Sequence, residues 1–236
     1  MSDSSARAQT VLSAPAVYAA GGAAPSLWWK RPVDVVVAAA LLLATLPILL
    51  VVALLIWLEG GGPLFFRQER VGRHGVRFRI WKFRTMRPNA DQAPHREAAQ
   101  AWFSGEPSFG SSYKNDRDPR VTRVGHVLRK MELDELPQLL NVLSGDMSLV
   151  GPRPAIPYEL DLYQPQYFVR QRVRPGMTGL WQVTDRDRVS AAGMMALDAV
   201  YVQGASLRLD LKILWRTALV VLGRLRPRPY RGVAVR

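Results

Sequence analysis

The longest apolar run in the chain covers residues 35–58 and contains no charged residue. Its 24 residues are enough for a helix that crosses a bilayer. Pro47 lies in the middle of the run, where a proline removes one helical hydrogen bond and kinks or breaks the helix. The pattern therefore predicts a membrane helix that is broken at Pro47.

Basic residues flank this run on both sides, and they decide its predicted topology. They are Lys30, Arg31, Arg67, Arg70 and Arg73. Positive charge beside a membrane segment marks the cytoplasmic side, so both ends are predicted to lie on one side of the membrane. We therefore predict a re-entrant helix–break–helix over residues 27–62, with arms that reach roughly 16–18 Å, about one leaflet. A simple transmembrane span is the alternative.

After residue 62 the periodicity changes from that of a helix to that of a strand. Val76, Phe78 and Ile80 alternate with basic and aromatic residues, as in a half-buried strand. A preceding strand over residues 64–71 and a turn at residues 72–75 complete a predicted β-hairpin. The hairpin ends in the sequence KFRTM, whose basic side chains form either a solvated face or a binding surface.

The acidic pair Asp134 and Glu135 precedes a third apolar pattern. Pro137 is tolerated only in the first turn of a helix, so a helix is predicted to begin near Asp134. Its predicted buried stripe consists of Leu136, Leu139, Leu140 and Leu143. Both carboxylates then lie at the positive end of the helix dipole, where free backbone N–H groups can bind phosphate. The simpler interpretation is a capping aspartate followed by an ordinary first-turn glutamate.

Two loops carry further candidate binding residues. A short strand predicted at residues 146–150 leads into Gly-Pro-Arg-Pro, in which Arg153 is held between two prolines. The planar guanidinium fork of an arginine suits bidentate contacts with phosphate. Thr178 lies between Gly176 and Gly179, which indicates either a close backbone approach to a ligand or a structural turn.

The C-terminal part of the chain predicts an amphipathic helix followed by a basic tail. The apolar stripe of the helix consists of Leu211, Leu214, Trp215, Ala218, Leu219 and Leu222. Such a helix packs on the core or lies in the membrane interface. Residues 223–236 are rich in arginine and contain no acid, so they favour adhesion to an anionic membrane.

Composition limits the remaining possibilities. The 236 residues suffice for one domain with tails, and the fold class is predicted as α+β, mainly helical with short strands and a membrane anchor. We predict a disordered tail at residues 1–26, a catalytic domain at residues 63–222 and a surface loop or insertion near residues 88–114. The net charge of +13 predicts an anionic partner. The absence of cysteine excludes disulfides and thiolate nucleophiles, and three scattered histidines show no metal-ligand spacing.

The acidic pair predicts phosphoryl chemistry. Adjacent residues project about 100° apart on a helix, so the two carboxylates cannot flank one sugar as a glycosidase pair does. They can instead divide two tasks at one phosphate, since an aspartate can attack phosphorus and a second carboxylate can bind Mg²⁺ together with phosphate oxygens.

At these residues the chain resembles the bacterial sugar transferase family, the monotopic polyprenyl-phosphate phosphoglycosyl transferases, and in particular its small exopolysaccharide-initiating members. The resemblance rests on KRPVD, KFRTM, DPRVTRVG, RPGMTG and the stretch from Leu133 to Pro154. It implies transfer of a sugar-1-phosphate from a UDP-sugar to undecaprenyl phosphate with release of UMP, at the cytoplasmic face of the bacterial inner membrane. A homo-oligomer is left open.

The resemblance also implies roles for individual residues. Asp134 is expected to be the nucleophile, Glu135 to coordinate Mg²⁺, and Arg129 and Arg153 to contact phosphate. The remaining residues predicted to bind substrate or phosphate are Lys82, Arg84, Arg120 and Thr178. The family carries a re-entrant helix broken at a Ser-Pro pair, which Pro47 matches.

Two residues depart from the family pattern. Leu46 stands where a serine is common before the proline, and Thr45 is a candidate to replace that hydroxyl. Glu132 stands where a small polar residue is common. A third carboxylate near the pair is expected to tighten metal binding or to raise the pKa of the nucleophile by repulsion.

Two other classes compete with the transferase. A membrane-tethered nucleic-acid binder is suggested by the charge and the interleaved aromatic residues, and it predicts steep salt dependence of binding. It leaves the acidic pair unexplained, so we expect no nucleic-acid partner. A scaffold that only anchors an assembly complex is suggested by the membrane segment alone.

Overall fold

The computed structural model describes residues 27–88, 91, 93–105, 118–184 and 189–223. The predicted tail at residues 1–26 and the basic tail beyond Gly223 lie outside these residues, as does part of the predicted loop at residues 88–114. The helices are α1 (Lys30–Gly60), α2 (Ala93–Ser104), α3 (Arg123–Met131), α4 (Leu139–Ser144), α5 (Ala191–Gly204) and α6 (Leu207–Val221). The strands are β1 (Phe65–Val71), β2 (Arg77–Phe83), β3 (Ser148–Val150) and β4 (Gly176–Thr178). The architecture is mainly helical with a few short strands, as predicted.

Helix α1 runs without interruption through Pro47 over 31 residues. The two arms predicted from the sequence are therefore joined in one continuous helix, and the re-entrant course of this segment stays a prediction. A proline removes one bond of the helical ladder, and the ladder resumes on either side of it. The Thr45 hydroxyl donates to the carbonyl of Leu41 at 2.7 Å, so it reinforces the turn before Pro47. Such a bond back along the helix favours bending.

The apolar surface of α1 is largely uncovered. Among the described residues, α1 is the one helix that is long and apolar enough to cross a membrane, and its most apolar 18-residue stretch has a mean hydropathy of 3.0 with 11% of it buried. Leu43 is 73% exposed and Leu50 is 63% exposed. A core helix of similar composition would bury these side chains.

The first turns of α1 are anchored to the folded part of the chain by polar contacts. Lys30 forms a buried ion pair with Asp210 of α6. Asp34 accepts a hydrogen bond from the backbone N–H of Leu149 at 3.1 Å. Arg31 donates to the carbonyl of Leu143 at the end of α4 at 2.8 Å.

The last turn of α1 is anchored to the same folded part. The Glu59 carboxylate accepts the backbone N–H of Val124 at 3.1 Å, which satisfies a free donor in the first turn of α3. The Arg84 guanidinium donates to the carbonyl of Gly61, directly after α1. Val52 and Ile56 pack with Phe83 in one apolar cluster. The uncovered middle of α1 therefore lies between two anchored ends.

The predicted hairpin is confirmed. Strands β1 and β2 pair antiparallel with Phe65 opposite Phe83 and Val71 opposite Arg77. Phe78 and Ile80 are buried, as the alternation predicts. Val76 is 66% exposed because it precedes the first paired residue of β2.

The segment around the acidic pair is helical, but its first two turns are a 3₁₀-helix over Leu133–Gln138 that continues into α4. The predicted buried stripe is wrong at Leu140, which is exposed, whereas Asn141 and Val142 are buried. A 3₁₀-helix has three residues per turn, so the burial register after it shifts relative to a continuous α-helix. The Asn141 side chain accepts the backbone N–H of Trp81 at 2.9 Å and so fixes this segment to β2.

The parallel pair of β3 and β4 brings two glycine-containing loops together. A Cβ on Gly176 would lie 2.1 Å from the backbone nitrogen of Gly151, and one on Gly179 would lie 2.5 Å from the Gly151 carbonyl oxygen. These glycines therefore permit a close approach between two backbone segments, not between backbone and ligand.

The position of helix α6 shows which of its side chains face the core and which are exposed. Asp210 and Ile213 face the interior, where the Tyr201 hydroxyl donates to Asp210 at 2.9 Å. Leu211 and Trp215 of the predicted stripe are 56% and 67% exposed. Most of the stripe therefore faces away from the core, as expected of a helix that lies in a membrane interface.

Candidate active site

A cavity of about 490 Å³ opens between the hairpin, the 3₁₀ segment and the Gly-Pro-Arg-Pro loop. Both acidic residues line it, together with five of the basic residues predicted from sequence. These basic residues are Lys82, Arg84, Arg120, Arg129 and Arg153. Basic residues that are up to 71 positions apart in the chain thus line one cavity, and its volume is that of a ligand pocket.

Asp134 and Glu135 differ in their surroundings. Asp134 is 5% exposed, whereas Glu135 is partly exposed. Glu135 forms an ion pair with Lys82 at 2.9 Å, which joins the 3₁₀ segment to β2. The pair follows Glu132, a left-handed residue with φ of 57° that ends α3. This reversal of the chain directs the acidic pair into the cavity, and Glu132 itself does not line it.

Thr178 does not line the cavity. Its buried hydroxyl hydrogen-bonds the Thr217 hydroxyl of α6 at 2.7 Å. Together with the glycine contacts at Gly151, this position supports the structural-turn interpretation of the Arg-Pro-Gly-Met-Thr-Gly motif. The predicted role of Thr178 in phosphate binding receives no support from its location.

The Arg153 side chain forms an ion pair with Glu159, a buried residue that was not predicted from the sequence. Glu159 is 1% exposed and contacts Arg153 at 3.3 Å, and it also accepts the backbone N–H of Ile156 at 3.0 Å. Burial by itself raises the pKa of Glu159, but the charges of Arg153 and Arg70 and the Ile156 hydrogen bond hold this pKa below its ordinary value. A glutamate two residues after Pro157 is a first-turn capping signal, which was the available clue.

Arg70 and Arg170 extend this buried network. Arg170 contacts Asp198 at 2.8 Å and donates to the backbone carbonyl of Arg153 at 2.6 Å. Arg70 donates to the backbone carbonyl of Pro154 at 3.1 Å. Burial, aided by the nearby charge of Arg153, lowers the pKa of Arg70 to about 10. Both arginines therefore fix the backbone of the Arg153 loop at two consecutive carbonyls.

His95 is a further cavity residue that the sequence did not single out for binding. It lies on α2, and its Nδ1 hydrogen-bonds the Tyr158 hydroxyl. Burial, followed by the positive charge of Arg153, lowers the pKa of His95 to about 4. The imidazole is therefore neutral at physiological pH.

Arg120 is positioned by Asp118, two residues before it. The guanidinium Nε donates to Asp118 at 2.9 Å, and the Arg120 hydrogen bonds lower the pKa of the Asp118 carboxyl to about 2. The pair stays ionised at neutral pH, so Arg120 brings a fixed positive charge to the cavity rim.

The donor set suits a magnesium ion that is shared with substrate phosphate. No group of three potential ligands from His, Asp or Glu occurs within the part of the chain that the structure describes. Mg²⁺ commonly uses one or two carboxylates and completes its shell with water and substrate phosphate. Glu135, on the cavity wall beside Asp134, fits that pattern.

Comparison with known proteins identifies the family of the chain. The sequence model of the family described as bacterial sugar transferase matches residues 25–224. The chain belongs to the bacterial sugar transferase family. Among its relatives in that family, the exopolysaccharide production protein ExoY of Sinorhizobium fredii is 45% identical over 167 residues, which cover 69% of this chain and 72% of ExoY.

Longer bacterial sugar transferases share the same region. The undecaprenyl-phosphate galactose phosphotransferase of Salmonella typhimurium is 44% identical over 168 residues, which cover 70% of this chain and 34% of that protein. A UDP-N-acetylgalactosamine-undecaprenyl-phosphate N-acetylgalactosaminephosphotransferase of Aeromonas hydrophila is 40% identical over 174 residues, which cover 71% of this chain and 37% of that protein. The shared region thus corresponds to one part of these longer chains.

Proposed function

We propose that this protein transfers a sugar-1-phosphate from a UDP-sugar to undecaprenyl phosphate and releases UMP, as the first membrane step of exopolysaccharide, capsule or O-antigen synthesis. The observation that carries the proposal is a buried aspartate beside a glutamate in a cavity lined by seven lysine and arginine side chains. Relatives named for undecaprenyl-phosphate sugar-phosphate transfer support the substrate class. A diphosphate and a lipid phosphate are both anions that such a cavity would neutralise.

In the first step, a carboxylate oxygen of Asp134 attacks the phosphorus that bears the sugar. The new bond is an acyl phosphate, and the bond between the two phosphates breaks so that UMP leaves with the bonding electron pair. The guanidiniums of Arg129 and Arg153 are suited to hold the phosphate oxygens, and Lys82 steadies Glu135 through their ion pair. Covalent catalysis of this kind divides one difficult transfer into two easier ones.

In the second step, a phosphate oxygen of the lipid attacks the same phosphorus. The acyl phosphate bond breaks, the Asp134 carboxylate is regenerated, and the product is a lipid diphosphosugar. Glu135 and the substrate phosphates would hold Mg²⁺, which when bound neutralises charge on the diphosphate.

We further propose that α1 enters and leaves the membrane on the cytoplasmic face of the bacterial inner membrane. A straight helix of 31 residues is about 46 Å long, so its ends would lie on opposite sides of a bilayer core. Lys30 and Glu59, near its two ends, contact α6 and α3 of the same folded part. A bend around Pro47 that inserts only the uncovered middle of α1 reconciles these contacts with the apolar surface.

The nucleophile is tested with Asp134→Asn. We expect turnover to fall by at least about 10³-fold, since an asparagine amide cannot attack the phosphorus and the covalent intermediate does not form. Wild-type enzyme incubated with a UDP-sugar labelled in the sugar-bearing phosphate should retain label after denaturation, and the variant should not. The matched control is Asp161→Asn, an exposed acid outside the cavity. Label on the Asp134→Asn protein would exclude the assignment.

The topology is tested with single-cysteine variants, for which the cysteine-free chain is the blank. Trp28 is 80% exposed before α1 and Val76 is 66% exposed in the hairpin turn. We expect Trp28→Cys and Val76→Cys both to be protected from a membrane-impermeant thiol reagent in intact cells and to react after lysis. Labelling of one position alone in intact cells would establish a transmembrane span.

A further inference from the structure

One end of the cavity lies next to α1 and combines aromatic side chains with a buried arginine. Its lining residues are Pro63, Phe65, Phe66, Phe83 and Arg84. We propose that this end is the subsite for the lipid acceptor, in which Arg84 binds the phosphomonoester and the phenylalanines contact the first isoprene units. This assignment rests on the proposed function and specifies which of the two substrates occupies this end.

Arg84 differs from the other basic residues of the cavity. Lys82, Arg120 and Arg153 each form an ion pair, with Glu135, Asp118 and Glu159 respectively. Within the described residues, Arg84 forms no ion pair with an acid, although it is only 9% exposed. Arg129, which also forms none there, is partly exposed to solvent. Arg70 also lines the cavity, is 7% exposed and forms no ion pair, but the nearby Glu159 carboxylate favours its charge and both of its terminal nitrogens donate hydrogen bonds. Arg84 thus differs in being a buried cavity cation that has no ion pair and whose guanidinium keeps one terminal nitrogen without a hydrogen-bond partner.

The guanidinium of Arg84 is also held in place. One terminal nitrogen donates to the carbonyl of Gly61, and the other is buried without a hydrogen-bond partner. Gly62 has a φ of 68°, and a Cβ there would lie 2.7 Å from that second nitrogen. Burying an unpaired charge is unfavourable, so an anion that reaches this guanidinium gains a strong, charge-assisted contact.

The neighbouring surface is apolar and exposed. Phe65 is 38% exposed and Phe66 is 41% exposed, and the Phe65 ring stacks on Phe83 with centroids 5.3 Å apart. The last turns of α1 expose Trp57 and Leu58 by 59% and 64%. An apolar surface that begins on the membrane helix therefore resumes at the aromatic rim of the cavity, next to Arg84.

This combination matches one substrate better than the other. A UDP-sugar is water-soluble, and its two phosphates lie between a uridine and a sugar. Its uracil ring can stack on one aromatic side chain, but it has no hydrocarbon chain that would extend from the cavity along the exposed apolar side chains of α1. A polyprenyl phosphate joins one phosphate directly to a hydrocarbon chain, and it approaches from the membrane. A single buried cation bordered by an apolar wall is complementary to that amphiphile.

The test separates the two half-reactions. UMP release without acceptor reports the donor step, and transfer from pre-labelled enzyme to undecaprenyl phosphate in detergent micelles reports the acceptor step. For Arg84→Gln we expect the KM for undecaprenyl phosphate to rise about 10- to 100-fold, from loss of a charge-assisted hydrogen bond. The KM for UDP-sugar and the rate of enzyme labelling should change less than about twofold, which is below the effect of losing one hydrogen bond to the donor. The control Arg79→Gln removes an exposed charge of β2 outside the cavity and should change neither step.

A second variant covers the case in which Arg84→Gln does not fold, because Arg84 also holds Gly61. Phe66→Ser changes an exposed rim residue and should raise the KM for undecaprenyl phosphate while leaving enzyme labelling unchanged. Equal slowing of labelling and of transfer in either variant would assign this end to the donor and overturn the proposal, as would an unchanged acceptor KM. Failure of the wild-type enzyme to release UMP would instead refute the proposed function itself.

Discussion

Helix α1 and the cavity walls distribute polar and apolar side chains in opposite ways. In α1 the charged residues Lys30 and Asp34 are 6% and 4% exposed, whereas Leu43 is 73% exposed. Around the cavity, apolar residues such as Ile80 and Phe83 are buried, and charged residues surround the space. The inverted pattern in α1 is the one expected of a helix whose middle lies in lipid.

The difference also shows how each region is held. The exposed middle of α1 lies outside the core, so α1 is attached through its two ends, by buried polar contacts and by the packing of Ala38, Val52 and Ile56 in apolar clusters. The cavity residues are held by a network in which Glu159 supports Arg153 and Arg170 supports the Arg153 backbone. The following predictions probe these two modes of attachment, in order of expected effect.

The largest effect on stability is expected at the Lys30–Asp210 pair. Asp210→Ala leaves a buried ammonium group without its partner, which should lower the free energy of unfolding by about 3–5 kcal/mol. Denaturation of the detergent-solubilised protein measures this loss. The control is Glu69→Ala, which breaks an exposed pair with Arg77 and should cost about 0–1 kcal/mol. Equal costs for the two variants would mean that burial of the α1 anchor is unimportant.

A smaller, pH-dependent effect is expected at the cavity. His95 has a folded-state pKa of about 4, below its ordinary 6.5, so the unfolded chain binds a proton more readily in this range. This contribution to stability is fully present above pH 6.5 and is lost as the pH falls through 6.5 towards 4. Between pH 7 and pH 5 the wild type should lose about 2 kcal/mol more than His95→Gln.

Chemical denaturation of both proteins at the two pH values measures that difference. Other titrating groups occur in both proteins and cancel in the comparison. The exposed His126 provides the control, since His126→Gln should follow the wild type. Parallel curves for the wild type and His95→Gln would show that the imidazole is not held neutral by its surroundings.

The smallest effect is expected at α6, because the membrane insertion proposed for α1 would by itself hold the protein at the bilayer. A fluorophore attached through Leu211→Cys should be quenched by a lipid-soluble nitroxide more strongly than one attached through Lys212→Cys. Leu211 lies on the exposed apolar stripe, whereas Lys212 lies on its polar flank. The free energy of unfolding should change by less than about 0.5 kcal/mol in either variant, as is usual for surface positions. Equal quenching would place α6 away from the bilayer.

Local patterns in the sequence were sufficient for several features of the molecule. The apolar run defined α1, the period of two defined the hairpin, and the sequence motifs singled out the basic residues that line the cavity. Asp134 and Glu135 could be recognised because an acidic pair directly before Pro137 marks the start of a helix. These features are encoded within a few residues, where periodicity, proline and charge act directly on the backbone.

Only the tertiary structure decided the others. Because of the 3₁₀-helix, Asn141 is buried in place of Leu140. The glycines on either side of Thr178 pack against the backbone of Gly151. Lys30 pairs with Asp210, which lies 180 residues away in the chain. Glu159 could not be assigned to Arg153 from a pattern, because an ion pair in the interior is selected by burial and by neighbouring charges. Composition and periodicity therefore specified which elements form, whereas packing specified which side chains meet.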